Sequence, residues 1–376
     1  MKYVAAASAA LLATTGIAHA DLSRTQQSVR VLFEDVGPSG GYVELSYGFV
    51  EPNEDGSFAG GGTVNGSLNS YSVPGFAFLY RPTENLSFAL IYDQPFGASI
   101  TYDEGVAPFF GGLATVETGA ITALVRYEVG GGFSAYGGVR ALEGGGEIRS
   151  TPTGTFAVGP TGPFPVFTDL DADSTIGFGY VVGAAFEIPR IALRVSVTYN
   201  SEIELDFTGT EINSTPTGIP IAAPTSTEFE VELPESIVVE AQTGIAPGTL
   251  VFGSYRRVFW DGFSFATPTS GEYVAFTSDF ETFSIGLGRQ FTENWSGLIS
   301  YTHQTDGTTP ADTPLSPTTG VNSVTLGAQY EEGPFTISGG VTYGILGNQF
   351  VENAAVGGVD FDGDVFAAGL RLGVRF

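Results

Sequence analysis

The last eleven residues of the chain, 366–376, alternate without exception between two kinds of side chain. Successive side chains of a β-strand point to opposite faces, so this segment predicts a strand with one wholly apolar face. The chain ends on Phe376, and an apolar aromatic end is unfavourable in water but suits a strand that lies in lipid. The alternative is an edge strand of a soluble β domain. The apolar positions are Phe366, Ala368, Leu370, Leu372, Val374 and Phe376, and the other face carries Ala367, Gly369, Arg371, Gly373 and Arg375.

The same alternation recurs from Tyr42 to the end of the chain, and it divides this region into fourteen predicted strands. Long connections such as 150–168 and 304–320 alternate strictly with tight turns such as 187–190 and 331–334. Long loops at one end and short turns at the other are typical of outer-membrane barrels. The sequence therefore predicts an all-β fold, a transmembrane antiparallel β-barrel of 14 strands.

The N-terminus indicates export. Lys2 precedes a short apolar run, 4–17, and Ala18-His19-Ala20 fits a signal-peptidase site. We therefore expect a signal peptide at 1–20, a short plug or leader at 21–41 and the barrel at 42–376. The expected location is the outer membrane of a bacterium, where the barrel contacts outer-membrane lipids. Phe376 resembles the terminal residue that the barrel assembly machinery reads.

Composition argues against several functions. Lys and Arg total 14 against 41 Asp and Glu, giving a net charge of −27, so nucleic acid is not an expected partner. Cys is absent, and His303 is the one histidine after the predicted signal peptide, so neither a zinc site nor any other metal site or cofactor is expected. No motif marks a nucleophile near His303, so we expect no enzyme activity.

Two runs have acids at alternate positions, 169–173 and 360–364. Such carboxylates suit calcium, but the later ligands of an EF-hand loop are missing. Solvated loops are the favoured interpretation of both runs.

Five stretches resemble the FadL/TodX family of outer-membrane channels for long-chain fatty acids and other hydrophobic compounds. They follow the family's order and approximate spacing over about residues 42–376. The family's barrel has fourteen strands, as the alternation predicts here, but its longer N-terminal hatch and Asn-Pro-Ala motif are not matched by 21–41. The stretches are Tyr92–Gly97, Tyr199–Ile203, Leu233–Ser236, Gln242–Ala246 and Gly253–Arg256 with Trp260.

One predicted strand is interrupted. Phe88, Leu90 and Tyr92 are expected to face lipid, and Ile100 and Tyr102 have the same parity after the interruption. A proline cannot donate to the strand ladder, and a glycine admits a bend. The alternatives are a bulge that relieves curvature and, as the resemblance implies, a kink that opens the wall sideways. The expected lateral opening comprises Asp93, Gln94, Pro95, Phe96 and Gly97.

Several arginines occupy strand positions whose side chains are expected to point into the lumen of the barrel. For any one of them, the structural interpretation is pairing with a lumenal acid. The functional interpretation is recognition of a substrate carboxylate, since guanidinium matches it with two hydrogen bonds. Arg256 is the first candidate because it falls in a family-like stretch, and Arg140 and Arg194 follow from parity alone.

The function that these features favour is passive transport of long-chain fatty acids or other hydrophobic small molecules, through the lumen and a lateral opening. Two alternatives remain: a general diffusion porin for small polar solutes, and a structural or adhesive surface barrel.

Overall fold

The computed structural model describes residues 22–58, 60–104, 109–150, 156–159, 162–309, 311, 313–352 and 357–376. The expected signal peptide at 1–20 lies outside the described residues. Among the residues described, no helix has the length and apolar character needed to cross a membrane.

The fold is all-β. Within the described residues, two single-turn 3-10 helices, Arg30–Phe33 and Pro189–Ile191, accompany the strands. The strands are β1 Gly41–Phe58, β2 Thr63–Asn65, β3 Tyr71–Thr83, β4 Leu86–Asp93, β5 Gly97–Thr101, β6 Leu113–Gly130, β7 Phe133–Ser150, β8 Phe156–Gly159, β9 Gly162–Pro165, β10 Phe167–Ile188, β11 Leu193–Asn200, β12 Ile203–Ser214, β13 Thr225–Leu233, β14 Ser236–Ala246, β15 Thr249–Val258, β16 Ser264–Thr267, β17 Gly271–Ala275, β18 Phe280–Gln290, β19 Trp295–Gln304, β20 Thr319–Glu332, β21 Phe335–Val351 and β22 Val359–Arg375.

These segments form a closed antiparallel barrel of 14 strands, which confirms the predicted fold. Four barrel strands are interrupted: β2 continues as β3, β4 as β5, β11 as β12, and β13 as β14. The last strand closes the barrel on the first, with Tyr42 opposite Arg375 and Phe58 opposite Val359. We call the end with the short turns the turn end and the other the loop end.

Exposure alternates along the strands as the sequence predicts. On β22, Phe366, Leu370 and Leu372 are exposed, whereas Ala367 and Arg371 are buried. Tyr80 and Tyr127 are exposed near the turn end, and aromatic side chains at this level are typical of the interface girdle of a membrane barrel. The exposed apolar side chains thus form the lipid-facing surface of the barrel.

Toward the loop end, the outer face changes from apolar to acidic. Carboxylates in hydrocarbon are costly, so these parts of the strands project beyond the hydrocarbon layer. The two acidic runs, 169–173 and 360–364, were expected in loops but lie on strands β10 and β22. Exposed outward acids include Asp55, Glu117, Glu143, Glu147, Asp171, Asp173, Glu204, Asp206, Glu228, Glu230, Glu232, Asp360 and Asp362.

Residues 22–36, which we call the N-terminal segment, run inside the barrel. Val29 and Leu32 are almost wholly buried, at 1% and 0% exposure. They pack in one apolar cluster with side chains of the turn-end half of the lumen, including Leu79, Leu124 and Val181. The segment therefore occupies the part of the lumen nearest the turn end.

Candidate functional site

The interruption between β4 and β5 adds one residue to the wall. Asp93 of β4 pairs with Ala120 of β6, and Gly97 of β5 pairs with Glu117 of β6. The chain therefore advances four residues from β4 to β5 while β6 advances only three. An extra residue exchanges the two faces of a strand. Tyr102 is consequently 1% exposed and, like Ile100, packs in the lumenal core. The expectation that these two residues face lipid is wrong for this reason.

The Thr118 hydroxyl satisfies both main-chain polar groups of Phe96 at this interruption. The Thr118 Oγ1 accepts a hydrogen bond from the Phe96 N–H at 3.1 Å and donates one to the Phe96 carbonyl oxygen at 2.7 Å. A strand interruption in a membrane wall needs such partners, because an unpaired backbone group in hydrocarbon costs several kcal/mol. Thr118 therefore holds Phe96 in place.

Thr118→Val should destabilise the interruption, since it leaves the buried N–H and carbonyl of Phe96 without partners. We expect the barrel to lose about 1–3 kcal/mol of stability per buried group left unpaired. Thr118→Ser keeps the hydroxyl and is the matched control. Urea titration of the folded band on unheated gels measures the difference, and equal midpoints for the two variants would contradict the role of the hydroxyl.

The N-terminal segment supplies further partners to the same interruption. The Arg24 N–H donates to the Pro95 carbonyl at 2.8 Å, and the Gly97 N–H donates to the Leu22 carbonyl at 2.8 Å. Ser23 forms an antiparallel bridge with Phe96. The bend thus turns backbone groups from the wall into the lumen, where the N-terminal segment binds them as a short additional strand.

An apolar chamber lies beside this interruption, in the loop-end half of the lumen. Phe96 and Thr118 line it from the wall, and Leu22 closes it from the N-terminal segment. Among the described residues, no charged side chain lines the chamber. Its other lining residues are Ala98, Ala114, Val116, Gly144, Gly145, Gly146, Ile148, Leu170, Ala172, Leu205, Phe207, Phe229, Val231, Leu233, Phe263, Phe265, Val274 and Leu315.

A groove on the outer surface of the barrel lies opposite the chamber. Tyr92, Gln94 and Glu117 line this groove, and Thr118 and residues 144–146 line both the groove and the chamber. The wall between the two spaces is therefore one strand thick and carries little side-chain bulk. At the interruption, Gln94 belongs to the groove and Phe96 to the chamber, so Phe96 separates the chamber from the outside.

Phe96 is held from the lumen as well. Its ring packs edge-on against Trp260, with ring centroids 5.9 Å apart. Trp260 is fully buried and packs against Phe263 of the chamber at 4.8 Å. The contact between Trp260 and the interruption depends on tertiary structure, so the sequence pattern alone did not pair these residues.

Ion pairs and aromatic contacts close the turn end of the lumen. Arg30 of the N-terminal segment forms ion pairs with Glu34 and with Glu44 of β1. The Phe33 ring contacts two guanidinium groups, Arg126 at 4.5 Å and Arg194 at 4.6 Å. These contacts fix the N-terminal segment across the path to the turn end.

The three arginines proposed from parity all lie inside the barrel, but in two places. Arg140 and Arg256 are 4% and 1% exposed, and both interact electrostatically with Asp93 at the interruption. Arg140 also donates to Asn200 Oδ1 at 3.2 Å. Arg194 lies apart, against Phe33. None of the three lines the apolar chamber.

Two further interruptions face each other on neighbouring strands. They fall after Asn200 and before Ser236, and these two residues are directly paired. Ser236 Oγ donates to Gln27 Oε1 of the N-terminal segment at 3.0 Å. Family-like stretches of the sequence lie at both positions. Pro234, which cannot donate to a strand ladder, is the sequence signal for the second interruption.

His303 lies on the outer face, with Nδ1 2.9 Å from Asn322 Oδ1. Three exposed carboxylates on the outer face, Glu204, Asp206 and Glu230, lie within 4.8 Å of one another. Exposed acids of this kind are common on an acidic surface and carry no assignment here.

A family model described as outer membrane protein transport protein (OMPP1/FadL/TodX) matches residues 11–364. No curated protein sequence matches this chain significantly. Among solved structures, a Pseudomonas aeruginosa FadL homologue is 13% identical with a TM-score of 0.68, covering 89% of each chain. The Ralstonia pickettii toluene transporter TbuX is 16% identical with a TM-score of 0.65, covering 92% of this chain and 90% of that one. The P. putida toluene transporter TodX is 13% identical with a TM-score of 0.64, covering 90% and 91%.

Proposed function

Because this chain belongs to the outer membrane protein transport family OMPP1/FadL/TodX, whose members are transporters of hydrophobic compounds, we propose that it carries such molecules passively into the cell, with long-chain fatty acids as the first candidates. The molecule enters the chamber from the loop end. It leaves sideways through the interruption formed by residues 93–97, into the outer membrane.

The observation that supports this proposal is the thin wall between the chamber and the outer groove. The chamber is lined by apolar side chains. Thr118 and three glycines line both the chamber and the outer groove, and Phe96 lines the chamber beside them. An apolar molecule loses favourable burial when it enters water, so a direct passage from an apolar chamber to lipid is the less costly path. Displacement of Phe96 is the opening step.

The N-terminal segment supports the lateral route over a straight one. Its contacts at Arg30 and Phe33 block the way to the turn end. A general diffusion porin needs an open polar lumen, and this filled turn-end half disfavours that alternative. A surface barrel that acts only through its loops does not need an apolar chamber.

We propose that the main role of Arg140 and Arg256 is at the interruption, where their positive charges offset the negative charge of the buried Asp93 carboxylate. Thr25 Oγ1 also donates to Asp93 Oδ2, at 3.0 Å. Recognition of a substrate carboxylate by Arg256, Arg140 or Arg194 stays a prediction, and it requires a head group to reach beyond the chamber lining.

Uptake by a strain that lacks the gene tests the function. The deletion strain should take up labelled long-chain fatty acids or hydrophobic hydrocarbons more slowly than its parent, while uptake of a small sugar stays unchanged. Complementation with the intact gene is the control. Slowed sugar uptake with normal uptake of every hydrophobic compound would favour the porin instead.

A further inference from the structure

Arg24 of the N-terminal segment lies in a polar recess next to the apolar chamber. The recess and the chamber share three lining residues, Leu22, Ala98 and Leu315. An amphipathic molecule can therefore occupy both spaces at once, with its hydrocarbon part in the chamber. Polar members of the recess are Ser23, Arg24, Asn69, Tyr71, Ser99, Ser316 and Thr318.

Neighbouring groups hold the guanidinium of Arg24 in a defined position. It lies 4.5 Å from the centroid of the Tyr71 ring, and its Nη2 donates to the Ala98 carbonyl at 3.3 Å. A Cβ on Gly97 would lie only 2.5 Å from the Arg24 Cζ, so glycine at this position makes room for the guanidinium. Gly97 was expected to admit a bend, and the structure gives it this additional role.

Arg24 is buried without an ion pair to any residue that the structure describes. It is 5% exposed, and ion pairs among the described residues involve Arg30, Arg126, Arg149, Arg257, Arg371 and Arg375 but not Arg24. Its Nε has no hydrogen-bond partner among those residues. The Glu117 carboxylate acts on this guanidinium electrostatically but forms no ion pair with it. A buried charge that lacks a directly bound carboxylate is costly, and an anion in the recess would relieve that cost.

Resting on the proposed function, we propose that Arg24 is the head-group site of that transporter and selects amphipathic monocarboxylates over uncharged molecules of the same length. The carboxylate binds the guanidinium in the recess, and the hydrocarbon chain lies in the chamber. The main-chain N–H of Arg24 binds Pro95 at the interruption, so the site connects the bound head group to the segment that has to move.

Fluorescence quenching can test this site, because the chain has 2 tryptophans and one of them adjoins the chamber. Trp260 contacts Phe96 and Phe263, which line the chamber. Trp295 is half-exposed on the outer face and is removed by Trp295→Phe. The probes are ω-bromoundecanoate and ω-bromoundecanol, which share a hydrocarbon chain and differ in the charged head.

In this Trp295→Phe background, Arg24→Gln should weaken quenching by the bromo acid by at least about tenfold in apparent Kd, the range for loss of a hydrogen bond to a charged group. The bromo alcohol should change by less than about twofold. Arg24→Lys should recover part of the preference for the acid. The ratio of acid to alcohol affinity is measured within each variant, so a general loss of stability does not imitate the effect.

Arg256→Gln is the matched control, since Arg256 is the first candidate for carboxylate recognition from the sequence. Loss of the acid preference in Arg256→Gln but not in Arg24→Gln would overturn the assignment to Arg24. So would equal weakening of both probes in Arg24→Gln, or no change in either. If neither probe quenches Trp260 in the parent, the chamber is not a ligand site, and the proposed function fails with it.

Discussion

Deletion of residues 24–36 should convert a nearly closed barrel into an ion-conducting pore. This segment supplies Val29 and Leu32 to the turn-end cluster, and its Arg30 pairs with Glu44 across the lumen. Without it, the turn-end half of a fourteen-stranded barrel is left with water-accessible polar side chains. We expect single-channel conductance in planar bilayers to rise by at least about tenfold, because barrels slightly larger than this one hold open aqueous channels.

Phe33→Ala is the matched control for the deletion. It removes the ring between Arg126 and Arg194 but leaves the rest of the segment in place. Its conductance should stay within a few-fold of the intact protein. A deletion variant that remains closed would contradict the account, because it would mean that the loops or the barrel wall, and not the N-terminal segment, block the straight route.

Straightening the interrupted strand should abolish most transport without unfolding the barrel. Residues 93–97 lie opposite 117–120, so a continuous strand needs one residue fewer. The variant replaces these five residues with four that alternate Thr and Val, which keeps Ala98 opposite Val116. The backbone groups that now bind the N-terminal segment then enter the ladder, and the thin wall at Phe96 closes.

Two observations establish that the straightened barrel is otherwise intact. It should still shift on gels between heated and unheated samples, as folded outer-membrane barrels do. A brominated hydrophobic probe should still quench Trp260, since this side chain and Phe263 belong to the loop between β15 and β18 and not to the interrupted strand.

The sequence predicted the barrel because lipid imposes a simple rule on every strand. Each outward side chain had to be apolar within the hydrocarbon layer, so Phe366, Leu370 and Leu372 identified the outer face unaided. The predicted strand number followed from the connections, because long loops and short turns alternate along the chain. The predicted ends of the strands were less accurate, because outward side chains need not be apolar where a strand leaves the hydrocarbon layer, as β1 does after Glu51.

The candidate site was only partly predictable. Pro95 and Gly97 marked the interruption, but the extra residue against β6 depends on pairing that parity cannot reveal, and Ile100 and Tyr102 were therefore assigned to the wrong face. The roles of Thr118 and of the N-terminal segment depend on contacts between residues far apart in the chain. The sequence did not distinguish Arg24 from the other residues of a polar leader. Its burial and the unpartnered Nε of its guanidinium distinguish it in the structure.

The initial rate of uptake through the straightened barrel tests the lateral route most directly. Cells that lack the native gene and produce equal amounts of folded barrel are given a labelled hydrophobic substrate, and early uptake is compared with that of cells producing the unaltered chain. The lateral route predicts that uptake falls by at least about tenfold, toward the rate of cells without the barrel, while Trp260 quenching persists. Uptake at the unaltered rate would contradict the lateral route and place the exit at the turn end.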